Sequence, residues 1–217
     1  MIDKFLNKIK FLLRRPKVVI ITGRGKETAA QAIKQVLASS FKINKDVLIF
    51  QTDLEEDFSF LIKKSRKAVL VATHVGQYHQ EKEFFSAEEK EVSNIKKLAE
   101  ALPERANLIL NFDDEAIRNL KNVSKARVLT FGLAVRADLR ATDIVLLRSP
   151  ASGTNFKINF QGSIVPVWLE GLFGKEHVYA ALSAVAVGEI LGLNLVEISS
   201  ALREYQGGLT NSQNHDS

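Results

Sequence analysis

The feature that most constrains this chain is an alternation, from residue 18 to about 131, of short apolar runs with longer stretches of helical periodicity. Residues 18–22 precede a helical pattern over 28–41, residues 47–50 precede one over 54–64, and residues 68–72 precede one over 87–102. Residues 108–111, 115–120 and 127–131 continue the series as strand, helix and strand. Strands separated by helices pair in parallel, and the intervening helices cover both faces of the sheet. The runs 18–21 and 69–71 are apolar at every position, as strands buried on both faces must be. The expected fold class is α/β, a three-layer parallel sheet of the P-loop type with helices on both faces.

After Gly132 the pattern changes. Residues 144–147, 156–160 and 164–169 are short strand patterns separated by the turn-formers Ser149-Pro150, Ser152-Gly153 and Gln161-Gly162, which predicts a small antiparallel region. Two C-terminal helices are expected over 178–191 and 196–205, and the polar tail over 207–217 is expected to be disordered. The chain therefore divides into a basic amphipathic helix (1–16), one α/β domain (17–206) and a tail.

Residues 1–17 carry Lys4, Lys8, Lys10, Arg14, Arg15 and Lys17 against Asp3 alone, which accounts for the whole formal charge of +5. The other 200 residues are balanced, so a general basic face for nucleic acid is not indicated. Ile2, Phe5, Leu6, Ile9, Leu12 and Leu13 form one helical stripe that Pro16 stops. Packing of that stripe on the chain's own domain is the expected use; docking on a membrane surface through residues 1–15 is the other. No apolar run approaches the length of about 20 residues that spans a bilayer, and the N-terminus lacks the pattern of a signal peptide, so a cytoplasmic chain is expected, with a peripheral site at the inner membrane face as the variant. The absence of cysteine excludes a disulfide framework, a thiolate metal site and a catalytic thiol.

The first strand runs through Thr22 into Gly23-Arg24-Gly25-Lys26-Glu27-Thr28 and then a helix. That is the setting in which backbone N–H groups and a helix N-terminus cradle phosphate. The spelling departs from a standard phosphate loop, because one residue separates the glycines and Glu27, not a hydroxyl, follows the lysine. An ordinary glycine-containing strand-to-helix turn fits the same residues.

Taken in order, the segments resemble the Mur ligase family, with the D-alanyl-D-alanine-adding branch as the nearest pattern. The landmarks are Ile20 to Lys26; Thr73-His74-Val75-Gly76-Gln77-Tyr78-His79; Leu110-Asn111-Phe112-Asp113-Asp114; Thr130-Phe131-Gly132 with Asp138; Ala141-Thr142-Asp143-Ile144; and Gly174 through Gly188. The resemblance covers residues 17 to about 205 and only the family's central, ATP-binding domain. The precursor-binding domain is expected to be replaced by the basic helix, and the C-terminal domain would begin where this sequence ends.

The resemblance implies ATP and magnesium as cofactors. It places Lys26 at the β- and γ-phosphates within a cradle of Thr22, Gly23, Arg24, Gly25 and Thr28, and Asn111 and Asp114 at the adenine region. Asn111 closing a strand, with Asp113 and Asp114 capping the next helix, explains the same positions. Glu27 and His79 are the candidate metal ligands. Several family positions are altered: Phe50 or Gln51 stands where the metal-binding glutamate belongs, Ile95 where the carbamylated lysine belongs, and Glu176 where a histidine belongs. Losing magnesium ligands removes charge neutralisation that phosphoryl transfer needs. Three functions remain open: a catalytically impaired Mur-ligase-like domain acting as a binding or regulatory partner, of another Mur ligase subunit or of its own copies; an active ATP-dependent ligase with a rearranged metal site and domains supplied in trans; and a membrane-surface or oligomerisation module using residues 1–15.

Overall fold

The computed structural model describes residues 9–52, 58–75, 77–79, 84–86, 89–148 and 152–207. Residues 9–14 are helical (α1), and Arg15-Pro16 leads directly into β1 (Lys17–Thr22). Then follow α2 (Lys26–Ala38), β2 (Val47–Thr52), α3 (Ser59–Lys64), β3 (Lys67–Ala72), the short β4 (Gln77–His79) and β5 (Phe84–Ser86), and α4 (Glu89–Ala101). After these come β6 (Asn107–Asn111), α5 (Glu115–Arg118) with a 3₁₀ turn over Asn119–Asn122, and β7 (Arg127–Gly132). The chain closes with β8 (Leu139–Leu147), β9 (Gly153–Phe160), β10 (Ser163–Glu170), α6 (Lys175–Leu191) and α7 (Leu195–Arg203). Residues 54–57 and 87–88, expected in helices, Ser149-Pro150, and the tail from residue 208 lie outside the described residues.

One eight-stranded sheet carries the fold, in the order β10-β9-β8-β7-β6-β3-β1-β2. The pairs from β2 through to β8 are parallel, and β8-β9 and β9-β10 are antiparallel. The small antiparallel region expected after Gly132 is formed by β8, β9 and β10, which extend the main sheet. The Gln161-Gly162 turn joins β9 to β10 with both residues at positive φ (48° and 81°), the backbone a two-residue hairpin with right-handed strand twist requires.

Strand alternation builds two cores. Val19, Ile21, Val69, Val71 and Ile109 point to the side of α2 and α6, whereas Val18, Ile20, Leu70, Leu108 and Leu110 point to the side of α3, α4 and α5. Small residues on α6 let it approach closely: a Cβ on Gly188 would fall 2.8 Å from Ile198 of α7. α7 begins with a capping box, Asn194 accepting from the amides of Val196 and Glu197 while Glu197 accepts from the Asn194 amide.

The register of β8 positions the site. Only Phe131 and Gly132 at the end of β7 pair with it, through Leu139 and Arg140, so most of β8 runs on past the C-terminal edge of the parallel strands. β9 follows it back, and together they stand as a wall beside the loops that leave β1, β3 and β6.

The expected packing of α1 needs correction. Its buried residue is Phe11, 9% exposed with its ring tilted against Phe60 at 5.7 Å, and not the stripe of Ile9, Leu12 and Leu13, which stays exposed. The rest of that stripe, Ile2, Phe5 and Leu6, lies outside the described residues.

Candidate functional site

β1 delivers Thr22, buried, into the glycine loop, where Gly23 and Gly25 both take left-handed backbone conformations (φ 95° and 75°). Gly23 has a steric reason to be glycine: a Cβ there would lie 2.6 Å from the His74 carbonyl oxygen and 2.7 Å from Thr73 Oγ1. The chain leaving β3 is stitched to the loop at this point. The Arg24 amide donates to the His74 carbonyl (2.8 Å), the Thr73 amide to the Thr22 carbonyl (3.0 Å), and the Thr73 hydroxyl to the Arg24 carbonyl (2.6 Å). Gly25 is the N-cap of α2 and supplies no side-chain cap, so the first-turn N–H groups keep the arrangement that favours an anion.

The side chains around these donors are what set the site's charge. Lys26 lies 3.3 Å from the Glu27 carboxylate, and Arg24 lies 3.7 Å from Glu91 at the start of α4. The Thr28 hydroxyl donates to Glu176 Oε1 at 2.5 Å. Each loop cation therefore faces a carboxylate of the chain itself, and a third carboxylate sits at the first turn of α2. The His74 imidazole packs over the loop, its Cε1 at 3.3 Å from where a Gly25 Cβ would stand. Burial brings its pKa down to about 4, with Glu176 opposing and Arg24 reinforcing that shift, so at neutral pH it is uncharged.

Beside the loop, the wall of β8 and β9 and the start of α6 enclose a cavity of about 890 Å³. Ile144, Leu146 and Phe173 give it an apolar side, and His74, Glu176 and Tyr179 a polar one. Apolar walls with a few convergent polar groups are the usual make-up of a small-molecule site.

The structure brings some of the expected residues together and separates others. Thr22, Gly23, Arg24, Gly25, Lys26, Glu27 and Thr28 form one loop, as expected. Asn111 and Asp114 are absent from the cavity lining. Asn111 is fully buried at the end of β6, where its Oδ1 accepts from the Asp113 amide (3.0 Å). Asp114 caps α5, accepting from the Ile117 amide (3.1 Å), and its other oxygen accepts from the Val75 amide (2.8 Å). Burial raises its pKa against those amide bonds. The capping explanation therefore accounts for Asp114.

Asp113 has a different role: it accepts from the amides of Leu133 (2.6 Å) and Ala134 (3.0 Å) and from the Tyr179 hydroxyl (2.9 Å). It ties the end of β6 to the β7–β8 connection and to α6. His79 belongs to β4 and its side chain lies outside the described residues; among the described residues no three His, Asp or Glu side chains converge as a metal site. Sequence reasoning did not find Glu91 or Tyr179, and it named His74 only as part of a landmark segment, with no role. Their partners lie on other elements, and the one legible signal was Glu176 standing where the resemblance places a histidine.

Fold and loop define the class: a P-loop-type three-layer α/β domain whose site lies at the C-terminal edge of the parallel strands. Residues 53–188 match the Mur ligase middle domain, and the chain belongs to the Mur ligase family. It is 30% identical over 165 residues to a UDP-N-acetylmuramate--L-alanine ligase of Dictyoglomus turgidum, covering 76% of this chain and 34% of that protein. It is 36% identical over 105 residues to a UDP-N-acetylmuramoyl-L-alanyl-D-glutamate--2,6-diaminopimelate ligase of Bacillus velezensis, covering 48% of this chain and 20% of that protein. The crystal structure of MurF from Acinetobacter baumannii superposes with a TM-score of 0.72 at 18% identity, over 92% of this chain and 48% of that one. MurF ligase from Thermotoga maritima in complex with ADP gives 0.69 at 18% identity, over 90% and 51%. The chain spans about a third of the length of the curated relatives it matches across most of its own length.

The described residues around the loop do not fit a magnesium–triphosphate. The loop cations already face Glu27 and Glu91, Glu176 occupies the Thr28 hydroxyl, and the position after Lys26 offers a carboxylate paired with that lysine. A polyphosphate brought there meets like charge at short range.

Proposed function

We propose that this Mur ligase middle domain acts in peptidoglycan precursor synthesis as a binding or regulatory partner, and does not itself form an acyl phosphate. The observation that carries the reading is the placement of Glu27, Glu91 and Glu176 around Arg24, Lys26 and the start of α2, which replaces external anion with internal carboxylate. Retention of both hydrophobic cores beside that altered loop is what continued selection for the fold, without the chemistry, would leave. The partner is another Mur ligase chain or a second copy of this one. Calorimetric titration with ATP and magnesium tests it: no heat of binding is expected, and tight metal-dependent binding overturns it.

A second reading has one observation in its favour. Gly23 and Gly25 keep the left-handed conformations and α2 starts without a side-chain cap, so the backbone of the cradle is intact. An ATP-dependent ligase completed in trans would use it, and ATP turnover abolished by Lys26→Ala would establish that reading.

A further inference from the structure

The opposite end of β1 carries a second constellation, which the ligase-partner reading does not use. α1 ends where Arg15 adopts a left-handed conformation (φ 45°), its amide donating to the Phe11 carbonyl at 2.7 Å, and Pro16 then leads into the sheet. A two-residue connection and the buried Phe11 hold α1 in a set orientation against the domain. The face it turns outward carries Ile9, Leu12 and Leu13, which are 37%, 43% and 80% exposed. Large aliphatic side chains on one short helical face are more than the scattered exposure of an ordinary surface.

Next to this ridge is a recess of about 330 Å³ lined by Arg14, Arg15, Lys17, Lys45 and Arg66, with Asp46 as its one carboxylate. Three chain segments converge to make it. The Lys17 amide donates to the Asp46 carbonyl (2.9 Å) and the Arg66 amide to the Pro16 carbonyl (3.1 Å), so the cations belong to the entries of β1, β2 and β3. Lys17 is held over the Phe41 ring at 4.2 Å. Burial lowers the pKa of Lys17, and Arg66 lowers it further, as expected where cations crowd.

An exposed aliphatic ridge beside a cationic recess matches the two layers of a bilayer surface, acyl boundary and phosphate level. A soluble anion would use the recess and leave the ridge in water. Nucleic acid would do the same, and a second copy docking here by two-fold symmetry would bring like charges together. The N-terminal seventeen residues hold the entire net positive charge, which complements an anionic surface. We propose that this end of the sheet docks on an anionic phospholipid surface, with Ile9, Leu12 and Leu13 entering the headgroup boundary and the recess holding a lipid phosphate. The glycine loop, at the far end of the six-residue β1, then faces away from the bilayer.

Vesicle co-sedimentation of the full chain tests this. The protein is expected to sediment with vesicles of phosphatidylcholine and phosphatidylglycerol and to stay in solution with phosphatidylcholine alone. Leu12→Asp with Leu13→Asp should abolish sedimentation. Arg14→Gln with Arg66→Gln should weaken it by about tenfold or more, since each cation near an anionic surface counts for roughly fivefold. Lys34→Gln with Arg136→Gln, which removes equal charge elsewhere, should leave it unchanged. If the Arg66 pair lowers the melting temperature, Arg14→Gln alone carries the comparison. The proposal is overturned by an absence of sedimentation with anionic vesicles, or by equal losses in the distant and recess variants. Full displacement from anionic vesicles by inorganic phosphate, or by RNA, also overturns it. None of these outcomes bears on ATP, so failure here and failure of the titration above are separate results.

Discussion

The two ends of β1 are both basic in sequence and opposite in character. At the C-terminal end, Arg24 and Lys26 sit in a glycine loop at a helix start, yet Glu91 and Glu27 lie beside them and Glu176 occupies the adjoining helix turn. At the N-terminal end, five cations share a recess with a single carboxylate and no inherited motif. The difference teaches that a motif locates donors but their electrostatic value is set by what the rest of the fold brings alongside. The end with the familiar loop is internally compensated; the end without one retains uncompensated charge.

The comparison can be broken most directly at the compensated end. Asp113→Ala removes the acceptor of two amides and the Tyr179 hydroxyl, and should cost about 3 to 4 kcal/mol in denaturant unfolding. A loss below about 1 kcal/mol would mean that this end is not wired for stability. The pH dependence comes next. With the folded His74 pKa near 4 and the unfolded value at 6.5, the unfolded chain takes up the proton first as pH falls. The stabilisation is complete above pH 6.5 and is lost between 6.5 and 4, by up to about 3 kcal/mol. Asp114, whose folded pKa is raised, acts in the opposite direction from 3.8 upward. His74→Gln should flatten the slope between pH 4 and 6.5 in pH-dependent melts.

Two smaller effects sharpen the contrast. Glu27→Thr with Glu176→Gln should tighten ATP binding by at least about tenfold, about 1.4 kcal/mol, enough to give a calorimetric heat where the unaltered chain gives none. No gain would mean that the carboxylates are not what keeps polyphosphate out. At the other end, Arg15→Gly relieves a left-handed non-glycine residue and should stabilise the fold by about 1 kcal/mol while weakening vesicle binding about fivefold. Stability and binding moving in opposite directions would distinguish a docking residue from a structural one.

Much of the architecture was legible before any coordinates. The alternation over residues 18–131 specified parallel strands with helices on both faces, because a strand buried on both faces must be apolar throughout and a helix must show its own period. Gln161-Gly162 marked its hairpin, and Thr22 to Thr28 marked the loop. The helix of residues 9–14 was legible as a helix, but its buried face was not: Phe11 packs on Phe60 while Ile9, Leu12 and Leu13 stay exposed. Which face of a short helix is buried depends on how its connection to the sheet orients it, and period alone does not contain that.

By itself the sequence determined what depends on neighbours along the chain: element type, turn positions, the location of the glycine loop and the concentration of charge in the first seventeen residues. Only the tertiary structure decided that Glu176, 148 positions from Thr28, would take its hydroxyl, that Glu91 would meet Arg24, and that the entries of three strands would pool their cations. Such meetings follow from strand order and register, which close loops ranging from a few tens of residues up to 148. Local periodicity carries no record of them.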